Sequence, residues 1–180
     1  MKKILLHITT CILFTLTAFA QDFPKVEVSG GYSYFAPSNN FSGSNPQGWQ
    51  GSIAGNFTDR FGLVAEANGH YQSVSGLRNN FHGFHFGPRF SLRNSRATLF
   101  AHVLPGFTRN DYQWQTISTS IPTTINAHAN AFSLKTGGGV DVKLTSRLAL
   151  RAIQADWHYS RFGGGNQNNT ILSTRIVVAF

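Results

Sequence analysis

Cysteine is almost missing from this chain: Cys11 stands alone among 180 residues. It lies inside the apolar N-terminal stretch Ile4 to Phe19. If that stretch is removed, the remaining chain can hold neither a disulfide framework nor a reactive thiol. Charge is scarce as well. Asp, Glu, Lys and Arg make up 12% of the residues, about half the ~25% usual in soluble domains. The net charge is +8, yet the basic residues are scattered singly, without the clustered run that marks a nucleic-acid surface; no nucleic-acid partner is expected. Long hydrophobic runs are lacking beyond residue 21, where nothing approaches the ~18 continuous apolar residues of a spanning helix. No helix-period segment follows either.

Glycine (18) and phenylalanine (16) are abundant, and the N-terminus has a defined grammar. The chain starts Met-Lys-Lys, runs through Ile4 to Phe19 and reaches Ala18-Phe19-Ala20 before Gln21. A basic start, a short apolar middle and a small-x-small end describe a secretory signal peptide. Residues 1–20 are therefore expected to be cleaved during export, leaving residues 21–180 as one domain.

Those residues alternate. Asn169 to Phe180 separates two by two into an apolar row (Leu172, Ile176, Val178, Phe180, with Thr170 and Thr174) and a mixed row centred on Arg175. That is the signature of a β-strand between two environments. The same pattern precedes it seven times: around Val26–Phe35, Trp49–Phe57, Leu63–Gln72, Phe84–Phe90, Ala97–Phe107, Phe132–Val142 and Leu148–Tyr159. In the seventh strand the apolar phase changes between Leu150 and Ile153, which requires an extra residue near Arg151-Ala152, a β-bulge. The connections alternate in length. Ala36–Gln47, Ser73–Asn80, Thr108–Ala127 and Arg161–Asn168 are read as long loops. Thr58-Asp59-Arg60, the segment SLRNS and Thr145-Ser146-Arg147 are short turns. Eight strands joined alternately by long and short connections predict an all-β, eight-stranded antiparallel up-and-down transmembrane β-barrel, closed by pairing of the last strand with the first.

Alternation alone does not say which face points outward, since a lipocalin-like barrel alternates with its apolar side inside. The scarcity of charge decides it. An ordinary soluble surface is ~25–35% charged, whereas each strand here has a polar row of Ser, Gly, Asn and Gln with one or two ions. Such rows suit a narrow interior, and rows of Phe, Leu and Val suit acyl chains. Aromatics gather near strand ends as two girdles: Tyr34, Trp49, Tyr71, Trp157 and Tyr159 toward the long loops, Phe57, Phe61, Phe90 and Phe180 toward the turns. The inward rows then bring together Glu27, Glu66, Arg89, Lys135, Asp141, Arg151, Asp156 and Arg175, with His70, His85 and His102. Eight strands leave a lumen that side chains fill, and buried ions must pair. A salt-bridged plug is expected; a gated narrow ion path is the functional alternative.

The stretches GGGVDVKLTSRLALRAIQADWHY (Gly137–Tyr159) and NNTILSTRIVVAF (Asn168–Phe180) carry a resemblance. The chain resembles the small outer-membrane β-barrel family, OmpA-transmembrane-domain-like and OmpX-like. The resemblance implies residence in the outer membrane of a diderm bacterium, contact with membrane lipids and lipopolysaccharide, and a monomeric barrel. It also implies that Ile176, Val178 and Phe180 form the signal read by the barrel assembly machinery. Two-domain relatives continue into a peptidoglycan-binding domain; this sequence stops at Phe180, so no cell-wall tether is expected. The implied role is structural or interactive, in envelope integrity or adhesion through the outer loops, with a small porin-like channel as the alternative.

Three chemical readings fare worse. His158-Tyr159-Ser160 resembles the His-x-Ser motif of lipid A deacylases, which are also barrels. However, Arg161 stands where that motif has Asn, and the predicted register turns His158 and Ser160 inward, away from acyl chains. No enzyme is expected. The histidines lack ligand spacing, His82 and His85 being the nearest pair, so no metal and no cofactor is expected. Gly137-Gly138-Gly139 and Gly163-Gly164-Gly165 do not open helices and do not read as phosphate loops.

Overall fold

The computed structural model describes residues 23–38, 45–74, 76–118, 121–163 and 165–180; the segment read as a signal peptide lies outside them. Among the described residues there are eight strands: β1 Val26–Pro37, β2 Gln47–Asn56, β3 Phe61–Val74, β4 Leu77–Arg93, β5 Ala97–Ser118, β6 Ile121–Lys143, β7 Leu148–Phe162 and β8 Gly165–Ala179. Each pairs antiparallel with its sequence neighbour, and β1 pairs with β8 from Glu27↔Ala179 to Pro37↔Asn169, closing the barrel. The last strand thus finds the backbone partner that a terminal strand in lipid requires.

The apolar rows face out. Val28, Ile53, Phe84, Phe86, Leu99, Val103, Phe107, Phe132, Ile153, Leu172 and Ile176 are all exposed. The polar rows face in, and Ser33, Gln50, His70, Lys135, Gln154 and Asp156 are buried. This is the reverse of a water-soluble fold. The seventh strand carries its bulge where the phase change required it. Val140 pairs with Ile153 and Asp141 with Arg151, leaving Ala152 without an opposite residue on β6, and the β7–β8 register shifts over the same residues. Ala152 and Ile153 both point outward, so Arg151 and Gln154 both point inward.

Three of the four long connections differ from the sequence expectation; half of the fourth, Ala36–Gln47, lies outside the described residues. Ser73–Asn80 is not a loop: β3 runs to Val74 and β4 starts at Leu77. Arg161–Asn168 is likewise strand on both sides of a turn. Gly76 (φ 80°) and Gly163 (φ 51°) adopt the left-handed backbone of these two turns, which glycine enters without steric cost. The largest correction is at Thr108–Ala127. These residues extend β5 and β6 into a ladder running from Ala97↔Val142 to Ser118↔Ile121. Thr and Asn form good strands once a neighbour pairs with them. What failed was the alternation signal, because the strands here leave the two-sided environment; Thr124 to His128 are exposed on both faces. A strand of 22 residues measures roughly 70 Å, and even tilted it overshoots an apolar band of ~25 Å. The hairpin stands well clear of the membrane.

Candidate lumenal site and family

The inward side chains form strata along the axis. At the end carrying the short turns, Glu27 receives Nη2 of Arg89 at 2.6 Å and Nη2 of Arg93 at 2.7 Å. Asn56 donates to the same carboxylate at 2.9 Å. Next, Arg151 grips Asp141 through Nε (2.6 Å) and Nη2 (2.9 Å), a two-pronged geometry that fits a carboxylate. The Arg151 guanidinium lies 4.1 Å from the Phe100 ring centroid, and that of Arg89 lies at 5.7 Å, within cation–π range.

The middle stratum is ionic. Glu66 accepts from Lys135 Nζ at 2.8 Å and pairs with Arg175 Nη2 at 3.0 Å. Asp156 meets His102 Nε2 at 2.9 Å and Lys135 Nζ at 3.9 Å. Gln154 ties the groups together, donating to Asp156 at 2.7 Å and accepting from Arg151 at 2.9 Å and from Arg175. Above it, Ser33 bonds Gln50 (3.1 Å) and His70 (2.9 Å). His85 and Thr108 both bond Ser133, and His158 Nε2 bonds Thr108. Phe35 closes this level, stacked on Phe81 at 5.0 Å and against His70 at 5.2 Å. Farther out, Asn110 has neither amide atom bonded, and Ser160 Oγ and Asn169 Nδ2 also lack partners.

The structure therefore gathers all eight residues of the expected ion network inside the barrel, together with His70, His85 and His102. It adds what the sequence reading missed. Arg93, assigned to a turn, reaches back to Glu27. Phe35, Phe81, Phe100 and Leu104 face inward, although aromatic and aliphatic residues were sought on the outer face. Leu104 packs with Ala54 and Val64 in a small apolar cluster within the lumen. Parity would have found all four, since each falls on the inward row of its strand.

On the outer face, Trp49 Nε1 donates to Tyr71 Oη at 3.3 Å, and Trp157 stacks on Tyr159 at 6.0 Å. Both pairs lie toward the hairpin end. Tyr34 is half-buried and bonded to Asn45. At the opposite end Phe57, Phe61, Phe90 and Phe180 are exposed, with Phe61 and Phe90 edge to face at 5.1 Å. Ile176 is exposed on the outer row of β8 and Phe180 is exposed directly after the strand, with Val178 half-buried between them.

His158 and Ser160 do face inward, but no nucleophile is assembled. His158 bonds Thr108, and Ser160 has no partner, whereas an activated serine requires a His–Ser hydrogen bond. Among the described residues no three His, Cys, Asp or Glu side chains could hold a metal ion.

A family model described as "Outer membrane protein beta-barrel domain" matches residues 8–180. The chain belongs to that family. It resides in the bacterial outer membrane, and the end bearing the short turns is periplasmic. No curated protein matches it by sequence. Among solved structures it is similar to Neisserial surface protein A, with a TM-score of 0.67 and 10% identity over 89% of this chain and 100% of that one. It is also similar to Ail, the attachment invasion locus protein of Yersinia pestis, at a TM-score of 0.59 and 14% identity over 86% and 99%. Ail in complex with the heparin analogue sucrose octasulfate matches at 0.56 and 15%, over 84% and 97%. At such identities the likeness is one of fold.

Proposed function

We infer that this barrel is a closed, non-enzymatic membrane platform that presents the β5–β6 hairpin as a surface-interaction element. One observation carries the reading. Among the described residues, β7 pairs with β6 only from Phe132 to Lys143, so the outer part of β6, residues 121–131, pairs with β5 alone. Its other edge offers unpaired backbone donors and acceptors above the membrane, a template for adding an extended strand from a partner. Ail is an attachment invasion locus protein and binds the heparin analogue sucrose octasulfate, and both fit a surface role for a barrel of this fold. The ion-paired lumen speaks against a general diffusion pore. Contact with lipopolysaccharide, recognition of Ile176, Val178 and Phe180 by the assembly machinery, and a monomeric state belong to this reading too.

The test replaces residues 109–130 with a tight turn. The shortened barrel is expected to fold and to migrate as a heat-modifiable band, while cells carrying it lose surface adhesion. Conductance in planar bilayers, measured on the same preparations, should show no steady steps before or after. Adhesion that survives the deletion, or channel steps from the intact barrel, would reject the reading.

A further inference from the structure

The periplasmic rim repeats one turn three times. In Thr58-Asp59-Arg60-Phe61, Thr58 Oγ1 accepts from the amides of Arg60 (3.2 Å) and Phe61 (2.9 Å). In Asn94-Ser95-Arg96-Ala97, Asn94 Oδ1 accepts from Arg96 (2.8 Å) and Ala97 (2.7 Å). In Thr145-Ser146-Arg147-Leu148, Thr145 Oγ1 accepts from Arg147 (3.3 Å) and Leu148 (3.0 Å). Every one of these turns thus ends in an arginine placed directly before the following strand. The fourth odd-numbered strand, β1, is preceded by Lys25.

Backbone bonds hold the four cations to equivalent places on the wall. The carbonyl of Lys25 accepts from Asn56, that of Arg60 from Ser91, that of Arg96 from Lys143 and that of Arg147 from Ala179, all between 2.7 and 2.9 Å. One basic residue therefore recurs every second strand, roughly 10 Å apart in the hydrogen-bonding direction and somewhat farther with tilt. Lys143 adds a fifth positive charge. Against these, Asp59 is the one carboxylate side chain among the described rim residues, 3.6 Å from Arg60. Fold geometry does not demand arginine here, because the turn bonds use the backbone amides and any residue supplies those.

The collar sits at a boundary. Phe57, Phe61, Leu144 and Phe180 are exposed within the same rim, and all five cations are exposed beside them. A ligand that meets both needs acyl chains and a negative phosphate together. We propose that this rim selects anionic phospholipids of the inner leaflet, its arginines reading the phosphates while the neighbouring aromatics lie along the chains. A repeated single cation favours an annulus of such lipids over one deep pocket.

The test uses the whole barrel refolded into bilayers of phosphatidylcholine with a minor fraction of phosphatidylglycerol. Spin-labelled versions of each lipid report relative association with the barrel surface. The wild-type barrel should prefer phosphatidylglycerol by about five-fold, the factor expected for one basic side chain at a lipid surface. The preference should collapse in ~1 M salt, where screening acts over about 3 Å. Arg60→Gln/Arg96→Gln/Arg147→Gln should lower it markedly, leaving only what Lys25 and Lys143 sustain, and the corresponding triple Lys variant should keep it. Heat-modifiable migration verifies that each variant is folded. Equal association of both lipids with the wild type would overturn the proposal. So would a preference that survives the triple Gln change undiminished, which would take the effect away from the three turn arginines. Sedimentation with peptidoglycan that is lost in the triple Gln variant, without any lipid preference, would also overturn it in favour of a cell-wall contact.

Discussion

Replacing Glu66 with Gln tests whether the lumen is held by charge compensation. The change keeps side-chain shape but removes the negative partner of two cations that are themselves wholly buried, Lys135 at 2.8 Å and Arg175 at 3.0 Å. At an effective dielectric of ~20, each attraction amounts to roughly 5–6 kcal/mol. Relief from burying the carboxylate returns several kcal/mol. Lys135 keeps Asp156 at 3.9 Å and a long contact to the amide oxygen of Asn68 at 3.5 Å, and Arg175 keeps the amide oxygen of Gln154 with two weak contacts to Ser29 and Ser52 at 3.4 Å. Two cations then share one anion, and the net loss should be about 3–5 kcal/mol. Reversible urea unfolding of the barrel in lipid vesicles reads this directly. Adding Lys135→Met restores the balance of charge, so the double variant should recover about 1–3 kcal/mol relative to the sum of the single changes. A Glu66→Gln barrel as stable as wild type would show that water, not pairing, compensates the lumenal ions.

Three further outcomes follow from the same packing. Phe35→Ala removes an aromatic that is 2% exposed and stacks on Phe81, and should cost about 3–5 kcal/mol in the same unfolding assay. Gly137→Ala would bring a Cβ within 2.2 Å of the Ala155 carbonyl oxygen and 2.4 Å of Asp156 Oδ1. It should lose about 1–3 kcal/mol through forced separation of β6 and β7, whereas Gly55→Ala, with nothing within 4 Å, should stay within ~0.5 kcal/mol. Planar-bilayer recordings should show steps in neither the wild type nor Phe35→Ala, because the ionic stratum beneath Phe35 remains filled.

The parts of this molecule legible in the sequence are those where two solvents meet across one strand. Leu99, Ala101 and Val103 against Thr98 and His102 can be read as a wall because lipid lies on one side and a polar interior on the other. From Thr124 to His128 water reaches both faces, and residues such as Thr124, Asn126 and His128 carry no periodic mark even though their backbones are fully laddered. The lumen was legible in its ions, since charge scarce elsewhere had to be compensated. It was less legible in its apolar content. Phe35, Phe100 and Leu104 escaped because hydrophobicity was equated with the outer face, while an eight-stranded interior needs volume as well as charge. Arg93 escaped for a different reason: it was taken as part of a turn, whereas it is the last residue of β4 and continues the inward row of Arg89 and Ser91.

The unopposed Ala152 has a consequence for how this wall could change length. Remove a residue of β7 outside the Ala152-Ile153 pair and the side chains on one side of the cut swap environments, which can strand Asp156 in hydrocarbon or Trp157 among ions. Excise Ala152 and the ladder merely closes up: Ile153 comes to face both Val140 and Thr174, and Arg151 keeps Asp141. The barrel owns one position of slack, and it lies on the side where only fluid acyl chains notice.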